Sequence, residues 1–180
     1  CAFCIIPKLR GPQRSRDPES VVREARALAR AGTRENCLVA QDLTTYGTDL
    51  PGAKEPGAAD KPNLASLLRG LGGVEGLRWI RLHYAYPTAC TNELLDVMAG
   101  EARVAKYLDV PIQHLDSDVL KAMRRGYGEK QVRDLCERVR ARVPGVTLRT
   151  TFIVGHPGET EEAFQRLCDF VREAELDRVG

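Results

Sequence analysis

Residues 146–155 read VTLRTTFIVG, which is the strongest strand signal in the chain. The segment is long, is rich in β-branched residues and has a glycine at each boundary, features typical of a strand between tight turns. Thr160, with acidic residues directly after it, is placed to cap a helix that continues to about Ala174. The unit is therefore a strand, a turn that contains glycine, and a helix.

The same alternation of strand and helix recurs on both sides of this unit. Helical patterns cover residues 17–32, 63–71, 91–99, 117–123 and 129–143. Strands are predicted to centre near Val39, Ile80, Leu108, Ile153 and Val179. No hairpin signal separates any two strands, so we expect them to be parallel and in sequential order. The predicted fold class is α/β, a partial open (β/α) barrel whose parallel sheet carries its helices on the outer face.

Two segments of this pattern carry more specific expectations. The first strand is predicted to cover residues 35–41 and to be buried on both faces, because its apolar residues run on without alternation. Residues 46–61 are rich in glycine and proline and are predicted to form a long, mobile loop.

The composition indicates a soluble globular domain, since 43% of the 180 residues are hydrophobic and 29% are charged. No apolar run approaches the roughly 20 residues that a membrane span requires, and no signal peptide is recognisable. The six cysteines form no regular framework, which fits a reducing compartment. We therefore expect a cytoplasmic protein with no membrane partner.

Cys1 and Cys4 are spaced so that two thiolates from one tight loop can reach the same metal centre. A zinc site is disfavoured because the remaining cysteines are single and scattered. A redox dithiol stays open as a second reading, although residues 5–7, Ile-Ile-Pro, are not expected to open the helix that would lower the pKa of a thiol. An iron–sulfur loop is the remaining reading, and the redox dithiol stands second to it.

Polar clusters follow the predicted strands, where ligands gather in parallel α/β sheets. They consist of Gln41 and Asp42 with Tyr46, residues 83–87, Gln113 and His114 with Asp116 and Ser117, and residues 155–159. Ordinary capping and turn chemistry is the preferred reading for Asp116, Ser117 and Thr160. A lone histidine at a strand end, such as His83 or His114, is more often structural than catalytic.

The strand-end residues also have a possible binding role. Gly155 and Gly158 would let the backbone approach an adenine or a ribose closely, and Gln113 could hold a ribose hydroxyl. A strand-to-helix turn also favours glycine, so the sequence leaves both readings open.

The first residues, CAFCIIPKLRGPQRSR (1–16), resemble the cluster loop of the radical S-adenosylmethionine (SAM) methylthiotransferases. That family has the signature Cys-x-x-x-Cys-x-aromatic-Cys, and Cys1, Phe3 and Cys4 match its second cysteine, its aromatic residue and its third cysteine. The first cysteine would lie four residues before Cys1. The resemblance therefore implies a radical SAM core domain, residues 1–180, that is truncated at both ends and lacks the third cluster ligand.

The resemblance continues through the strand ends and covers essentially the whole chain. It includes residues 41–47, residues 109–114 and residues 153–160. It implies that Cys1 and Cys4 bind metal and that the cofactor-binding residues are Phe3, Gln41, Asp42, Gln113, Gly155, Gly158 and Glu159. No residue is assigned a catalytic role.

In the family, three cysteines hold a 4Fe-4S cluster, and SAM chelates the open iron. An electron from the cluster then cleaves SAM to a 5′-deoxyadenosyl radical, which abstracts hydrogen from an unactivated carbon where a methylthio group is installed. The resemblance also implies a low-potential electron donor. It further implies an N-terminal domain with a second 4Fe-4S cluster and a docking domain after the barrel, and these two domains are expected to be absent from this chain.

The motifs are more similar to the branch that modifies an aspartate of a small-subunit ribosomal protein than to the branch that modifies tRNA adenosine. The tRNA branch is the alternative, and a non-catalytic folded core is the reading for the isolated fragment. Charge does not separate the substrates, because Lys8, Arg10, Arg14 and Arg16, with Arg149, could receive either a carboxylate or an RNA phosphate.

Overall fold

The computed structural model describes residues 4–53 and 62–180. Within these ranges, seven α-helices and five strands alternate along the chain. In order they are α1 (Ile6–Arg10), α2 (Pro18–Arg30), β1 (Glu35–Leu38), α3 (Leu64–Gly72), β2 (Trp79–Leu82), α4 (Asn92–Gly100), β3 (Val104–Asp109), α5 (Ser117–Ala122), α6 (Glu129–Arg142), β4 (Thr147–Thr150), α7 (Glu161–Glu173) and β5 (Arg178–Val179).

All five strands form one parallel sheet in the order β1-β2-β3-β4-β5. Asn36 is in register with Ile80, and Leu108 is in register with Leu148. In the described part of the chain, β1 and β5 each pair with a strand on one side only, so the sheet is open. The prediction of a parallel, sequential sheet is confirmed.

Helices α3, α4, α6 and α7 form one layer, and ion pairs join each of them to the next in that order. Arg69 of α3 pairs with Glu93 of α4 at 2.8 Å, Asp96 of α4 pairs with Arg142 of α6 at 2.6 Å, and α6 pairs with α7 through Arg133 and Glu173 at 2.9 Å. A sequential parallel sheet with right-handed crossovers places its helices on one face in this way. The arrangement is therefore that of a partial (β/α) barrel, as predicted, and not of a doubly wound sheet.

The core lies between the sheet and this helix layer. Ile80, Leu82, Leu108 and Leu148 point into it and are almost fully buried, together with leucines of α3 and α4. Strand side chains alternate between faces, so the residues between them project to the opposite face, which we call the inner face. The packing of the apolar side chains therefore determines which polar side chains of the sheet project from the inner face.

Most helices in the described part of the chain begin at a side chain that caps them. The side chains of Asp17, Asn63, Thr91, Asp116 and Thr160 each accept a hydrogen bond from a backbone N–H in the first turn of the following helix. These bonds satisfy N–H groups that would otherwise lack partners at a helix start. Capping is therefore the observed role of Asp116 and Thr160.

Strand β1 is shorter and less buried than the sequence predicted. It ends at Leu38, the side chain of Cys37 is exposed, and Val39, the predicted centre, is 64% exposed. The prediction of burial on both faces is wrong because β1 is an edge strand with helices on one face only. In an edge strand of this kind, a continuous run of apolar residues does not indicate burial on both faces.

Strand β4 is also shorter than predicted. It ends at Thr150, so the predicted centre, Ile153, lies beyond it. The neighbouring strand β3 explains why β4 ends here. It stops at Asp109, and Pro111 just beyond it has no N–H to donate to a further pair. Pairing then resumes only as an isolated bridge between Gln113 and Phe152.

The segment after Cys4 forms the short helix α1, with Pro7 in its first turn. The expectation that this segment opens no helix was therefore wrong. Proline is well tolerated at a helix start, because its missing N–H would have no intrahelical partner there. Of the predicted loop 46–61, residues 46–53 are turns, and residues 54–61 lie outside the described residues. No helix in the described ranges is long and apolar enough to span a membrane.

Candidate active site

Cys4 carries a free, half-buried thiol two residues before the start of α1. The predicted partner Cys1 and the predicted cofactor residue Phe3 lie outside the described residues. In residues 4–53 and 62–180, no three His, Cys, Asp or Glu side chains are grouped so as to hold a metal ion. The described part of the chain therefore contributes one thiol to the predicted metal site.

Hydrogen bonds tie the segment after α1 to the loop after β1. The Gln13 amide donates to the Thr45 carbonyl at 2.6 Å, and Gly47 N–H donates to the Ser15 hydroxyl at 2.9 Å. Ser15 N–H in turn donates to the carboxylate of Asp49 at 2.8 Å. Gln13 and Ser15 were not predicted as site residues, and their position next to the cysteine loop is the only sequence signal for them. These contacts hold that loop against the end of the first strand.

Tyr46 reinforces the same junction. Its ring is 9% exposed and its hydroxyl donates to the Arg16 carbonyl at 2.7 Å. Burial, followed by the charge of Asp17, raises the pKa of Tyr46, so the phenol stays a neutral donor at physiological pH.

Asp42, a predicted cofactor residue, caps a short 3-10 turn formed by Leu43–Thr45. Its carboxylate accepts from the N–H of Thr44 at 3.0 Å and from the Thr44 hydroxyl at 2.5 Å. Gln41 precedes it and is exposed. In this structure Asp42 therefore shapes the turn, whereas Gln41 is available at the surface.

Gln113 adopts an uncommon left-handed backbone conformation, with φ of +75°. Its N–H donates to the Thr151 carbonyl at 2.9 Å, and its own carbonyl accepts from Ile153 N–H at 2.7 Å. The side-chain amide folds back to the Pro111 carbonyl at 3.3 Å. Strained backbone that is fixed by its surroundings in this way concentrates at functional sites.

The turn after β4 is built on two glycines with positive φ, Gly155 at +74° and Gly158 at +91°. A Cβ atom added at either position would meet no atom within 4 Å, so the turn is open toward solvent. Glu159 holds this turn, because one carboxylate oxygen accepts from the N–H groups of Gly155 at 2.6 Å and His156 at 3.1 Å. The backbone of this turn is therefore exposed to solvent at both glycines.

His114 connects this turn to the loop after β3. The ring is fully buried, and its Nδ1 accepts from Asp116 N–H at 2.9 Å. The proton of the neutral ring therefore resides on Nε2, which lies 3.5 Å from Oε1 of Glu159 but makes no hydrogen bond to any residue that the structure describes. His114 is thus a buried structural link, which is the role that the sequence analysis favoured.

Asp116 supports the same loop from the other side. Its carboxylate accepts from the N–H groups of Asp118 and Val119 and pairs with Arg166 of α7. Although burial acts in the opposite direction, these N–H groups and then Arg166 lower the pKa of Asp116. The carboxylate therefore stays charged and keeps its partners.

Backbone hydrogen bonds bring the four predicted strand-end clusters side by side. Leu43 N–H donates to the Tyr84 carbonyl at 3.1 Å, and Ala85 N–H donates to the Asp109 carbonyl at 2.8 Å. The bond from Gln113 to Thr151 continues the series to β4. The structure therefore joins these clusters along one edge of the sheet, at the carboxyl ends of the strands.

Charged side chains on the inner face were not singled out as a group by the sequence. Asp109 is fully buried, pairs with Arg149 at 2.9 Å and lies 3.6 Å from Nδ1 of His83. Burial and then Asp109 raise the pKa of Tyr107, whereas Arg149, Arg81 and Arg178 act against this rise. The two-residue spacing of Tyr107 and Asp109 in one strand was the available signal that they share a face.

Comparison with known proteins identifies the family. A model described as the radical SAM superfamily matches residues 1–171. The chain belongs to this superfamily, which confirms the resemblance drawn from residues 1–16 and from the strand ends.

Relatives narrow the comparison further. The chain is 51% identical over all of its 180 residues to the "Ribosomal protein uS12 methylthiotransferase RimO" of Geobacter sulfurreducens. It is 54% identical to the protein of the same name from Anaeromyxobacter sp. (strain Fw109-5), and 48% identical to that from Cytophaga hutchinsonii. It covers 38%, 37% and 39% of the lengths of these three relatives.

Among solved structures, the archaeal Elp3 of Methanocaldococcus infernus with an N-terminal deletion aligns with a TM-score of 0.46 and 13% identity. The alignment covers 92% of this chain and 40% of that one.

Membership of the radical SAM superfamily implies a 4Fe-4S cluster and SAM. The described residues fit this chemistry in two respects: Cys4 supplies a thiol of the kind that binds iron, and the turn at Gly155 and Gly158 leaves its backbone open. They do not by themselves form a complete cluster site.

Proposed function

We propose that the complete gene product that contains this chain is a methylthiotransferase that modifies an aspartate of ribosomal protein uS12. The observation that carries this proposal is the identity of about half of all residues, over the full chain, to relatives named as uS12 methylthiotransferases. The radical SAM match over residues 1–171 supports the reaction class. The cytoplasmic location follows from the proposed ribosomal substrate.

Cys1 and Cys4 are the proposed ligands of the 4Fe-4S cluster in this chain. The third ligand is proposed to be a cysteine four residues before Cys1 in the complete gene product. When bound, the cluster and SAM supply the electron and the radical that abstracts hydrogen from the substrate. A low-potential donor is proposed to deliver the electron, and a second cluster outside this chain is proposed to accompany the inserted sulfur.

The contribution of the described residues is to shape the cofactor site. Gly155 and Gly158 are proposed to let the main chain contact the nucleoside of SAM, and Gln113, held in its strained conformation, is proposed to face the same ligand. Glu159 acts on the turn itself through its bonds to two N–H groups. Gln41, Asp42 and Phe3 remain proposed cofactor contacts.

The test is to reconstitute the complete gene product anaerobically with iron and sulfide and to supply SAM and a reductant. Ribosomal protein uS12 and tRNA are then incubated separately, and the mass of each product is measured. A methylthio group on uS12 supports the proposal. Modification of tRNA alone would move the assignment to the tRNA branch, and a lack of SAM cleavage with either substrate would favour a non-catalytic protein.

A further inference from the structure

The inner face of the sheet carries a group of five side chains that the proposed cofactor site does not use. We call His83, Tyr107, Asp109, Arg149 and Arg178 the inner-face cluster. Asp109 ends β3, Arg149 is the third residue of β4, and Arg178 begins β5. His83 follows β2 directly. The cluster therefore spans four neighbouring strands beside their carboxyl ends, where ligands bind in parallel α/β folds.

Asp109 and Arg149 form the centre of this cluster. Oδ2 of Asp109 accepts from Nη1 of Arg149 at 2.9 Å and lies 3.6 Å from Nδ1 of His83. The other oxygen, Oδ1, is buried and has no hydrogen-bond partner in the part of the chain that the structure describes. This acceptor lacks a donor, which a bound anion cannot supply, so an anionic ligand is indicated only by the guanidinium groups of the cluster.

Among the described residues, Arg149 and Arg178 have fewer acidic partners than their two charges require. Arg149 and Arg178 are Cα partners in the register of β4 and β5, and both act electrostatically on Tyr107, so they share the inner face. Like charges at opposed positions on neighbouring strands destabilise a sheet unless an anion lies between them. Within residues 4–53 and 62–180, Asp109 pairs with Arg149 through Nη1 only, and Arg178 has no acidic partner.

Arg149 is also accessible. Its side chain is 38% exposed, whereas that of Asp109 is fully buried, so the carboxylate anchors one edge of the guanidinium and leaves Nε and Nη2 without a partner among the described residues. A planar guanidinium that is anchored in this way is well suited to a second carboxylate, which it can bind through two parallel hydrogen bonds.

We infer that the inner-face cluster binds the side-chain carboxylate of the substrate aspartate, with Arg149 as the contacting residue and Asp109 as the residue that positions it. This inference rests on the proposed function and names the part of the chain that would recognise its substrate. A bound carboxylate would separate the charges of Arg149 and Arg178 and would fix the carbon chain of the aspartate next to the cofactor edge of the sheet. The same chemistry could instead receive the carboxylate of SAM, and the experiment must separate the two.

The experiment compares two forms of uS12 with the complete, reconstituted gene product: one with its target aspartate and one with asparagine at that position. Arg149→Gln should lower kcat/KM for the aspartate form by about 10- to 100-fold, the loss expected for a charge-assisted hydrogen bond. It should also bring the rates for the two forms close together, because the guanidinium that distinguishes a carboxylate from an amide is gone. Arg149→Lys should restore part of the preference.

Cofactor measurements and a matched variant complete the design. The Kd for SAM and the rate of SAM cleavage without substrate should be unchanged in Arg149→Gln. Arg172→Gln, which alters an exposed arginine of α7 paired with Asp169, should leave both substrate forms unaffected. Iron content and circular dichroism should be equal in all variants, which would exclude a loss of fold.

Asp109→Asn, which frees Arg149, should weaken the aspartate preference in the same direction without changing the Kd for SAM. A weaker Kd for SAM in Arg149→Gln, with an unchanged preference between the uS12 forms, would overturn the inference in favour of the SAM carboxylate. Wild-type modification of uS12 with an unaffected Arg149→Gln variant would overturn the inference alone. A wild-type enzyme that does not modify uS12 would overturn the proposed function, and this inference with it.

Discussion

The buried imidazole of His114 lies 3.5 Å from the carboxylate of Glu159, with Nε2 facing Oε1. Since Nδ1 of His114 already accepts a backbone N–H, the ring presents its proton toward Glu159. The other oxygen of Glu159 accepts two N–H groups of the glycine turn. This one carboxylate therefore connects the loop after β3 to the turn after β4.

The link predicts a specific cost for Glu159→Gln. The amide has one acceptor oxygen where the carboxylate has two. Its NH2 group must therefore face either the Nε2–H of His114 or the N–H groups of the turn, and two donors then oppose each other. We expect the free energy of unfolding to fall by about 1–3 kcal/mol, the cost of an unsatisfied buried group. Urea unfolding followed by circular dichroism measures this change. Glu161→Gln, at an exposed position nearby, is the control and should change the value by less than about 0.5 kcal/mol; equal effects would contradict the prediction.

A second prediction concerns Tyr127, which supports the loop that contains Gln113. Its ring is 5% exposed, and its hydroxyl donates to the Ile112 carbonyl at 2.9 Å. Tyr127→Phe leaves that buried carbonyl without its partner and should lower the free energy of unfolding by about 1–3 kcal/mol. The matched control is Tyr84→Phe, because Tyr84 is 46% exposed, and this change should have little effect on stability. Equal stability of Tyr127→Phe and wild type would show that water replaces the hydroxyl.

The buried thiol of Cys90 predicts a loss of stability at alkaline pH. Burial raises the pKa of Cys90 from an ordinary value of 9.0 to about 12. Above pH 9 the unfolded thiol ionises while the folded thiol does not, so its contribution is complete below pH 9 and is lost as the pH rises toward 12. The loss is about 1.4 kcal/mol per pH unit within this window.

Cys90→Ala should therefore make the fall in unfolding free energy between pH 9 and 12 shallower than in wild type. The measurement is a series of urea unfolding curves across this range. Cys37→Ala removes an exposed thiol and should follow the wild-type slope. The same slope in Cys90→Ala as in wild type would mean that the thiol ionises freely in the folded chain.

Cys4 is predicted to be a ligand of the iron–sulfur cluster. In the complete gene product, Cys4→Ala should abolish one reconstituted 4Fe-4S cluster and SAM cleavage, because a three-cysteine cluster rarely survives the loss of a thiolate. Iron and sulfide analysis with visible absorbance measures cluster content. Cys168→Ala, on α7, is the control and should retain full content. An unchanged cluster in Cys4→Ala would remove this residue from the ligand set.

The isolated 180-residue chain is predicted not to hold a stable 4Fe-4S cluster, since Cys1 and Cys4 are two thiols of a three-cysteine motif. Anaerobic reconstitution of this chain should leave its iron and sulfide content well below that of the complete gene product. Uptake of a full cluster that responds to SAM would mean that another residue of the chain supplies the third ligand.

Local sequence signals predicted much of the fold. The helix starts predicted at Asp17, Thr91 and Thr160 are correct because a capping side chain bonds to the backbone within three residues, which depends little on the rest of the chain. The end of β4 at Thr150 was missed because it depends on the neighbouring strand. The neighbouring strand β3 stops at Asp109, shortly before a proline. The sequence of residues 151–155 carries no information about where β3 ends.

The candidate site divides in the same way. The sequence by itself predicted the cysteine motif, and it determined the glycine turn at Gly155 and Gly158 and the alternation that makes the sheet parallel, because each depends on residue types at short spacing. Only the tertiary structure decided that Glu159 meets His114 and that Arg149 lies between Asp109 and Arg178. These contacts join residues that are 29 to 45 positions apart in the sequence. Strand register and strand face, set by the packing of the whole core, determine which charges meet.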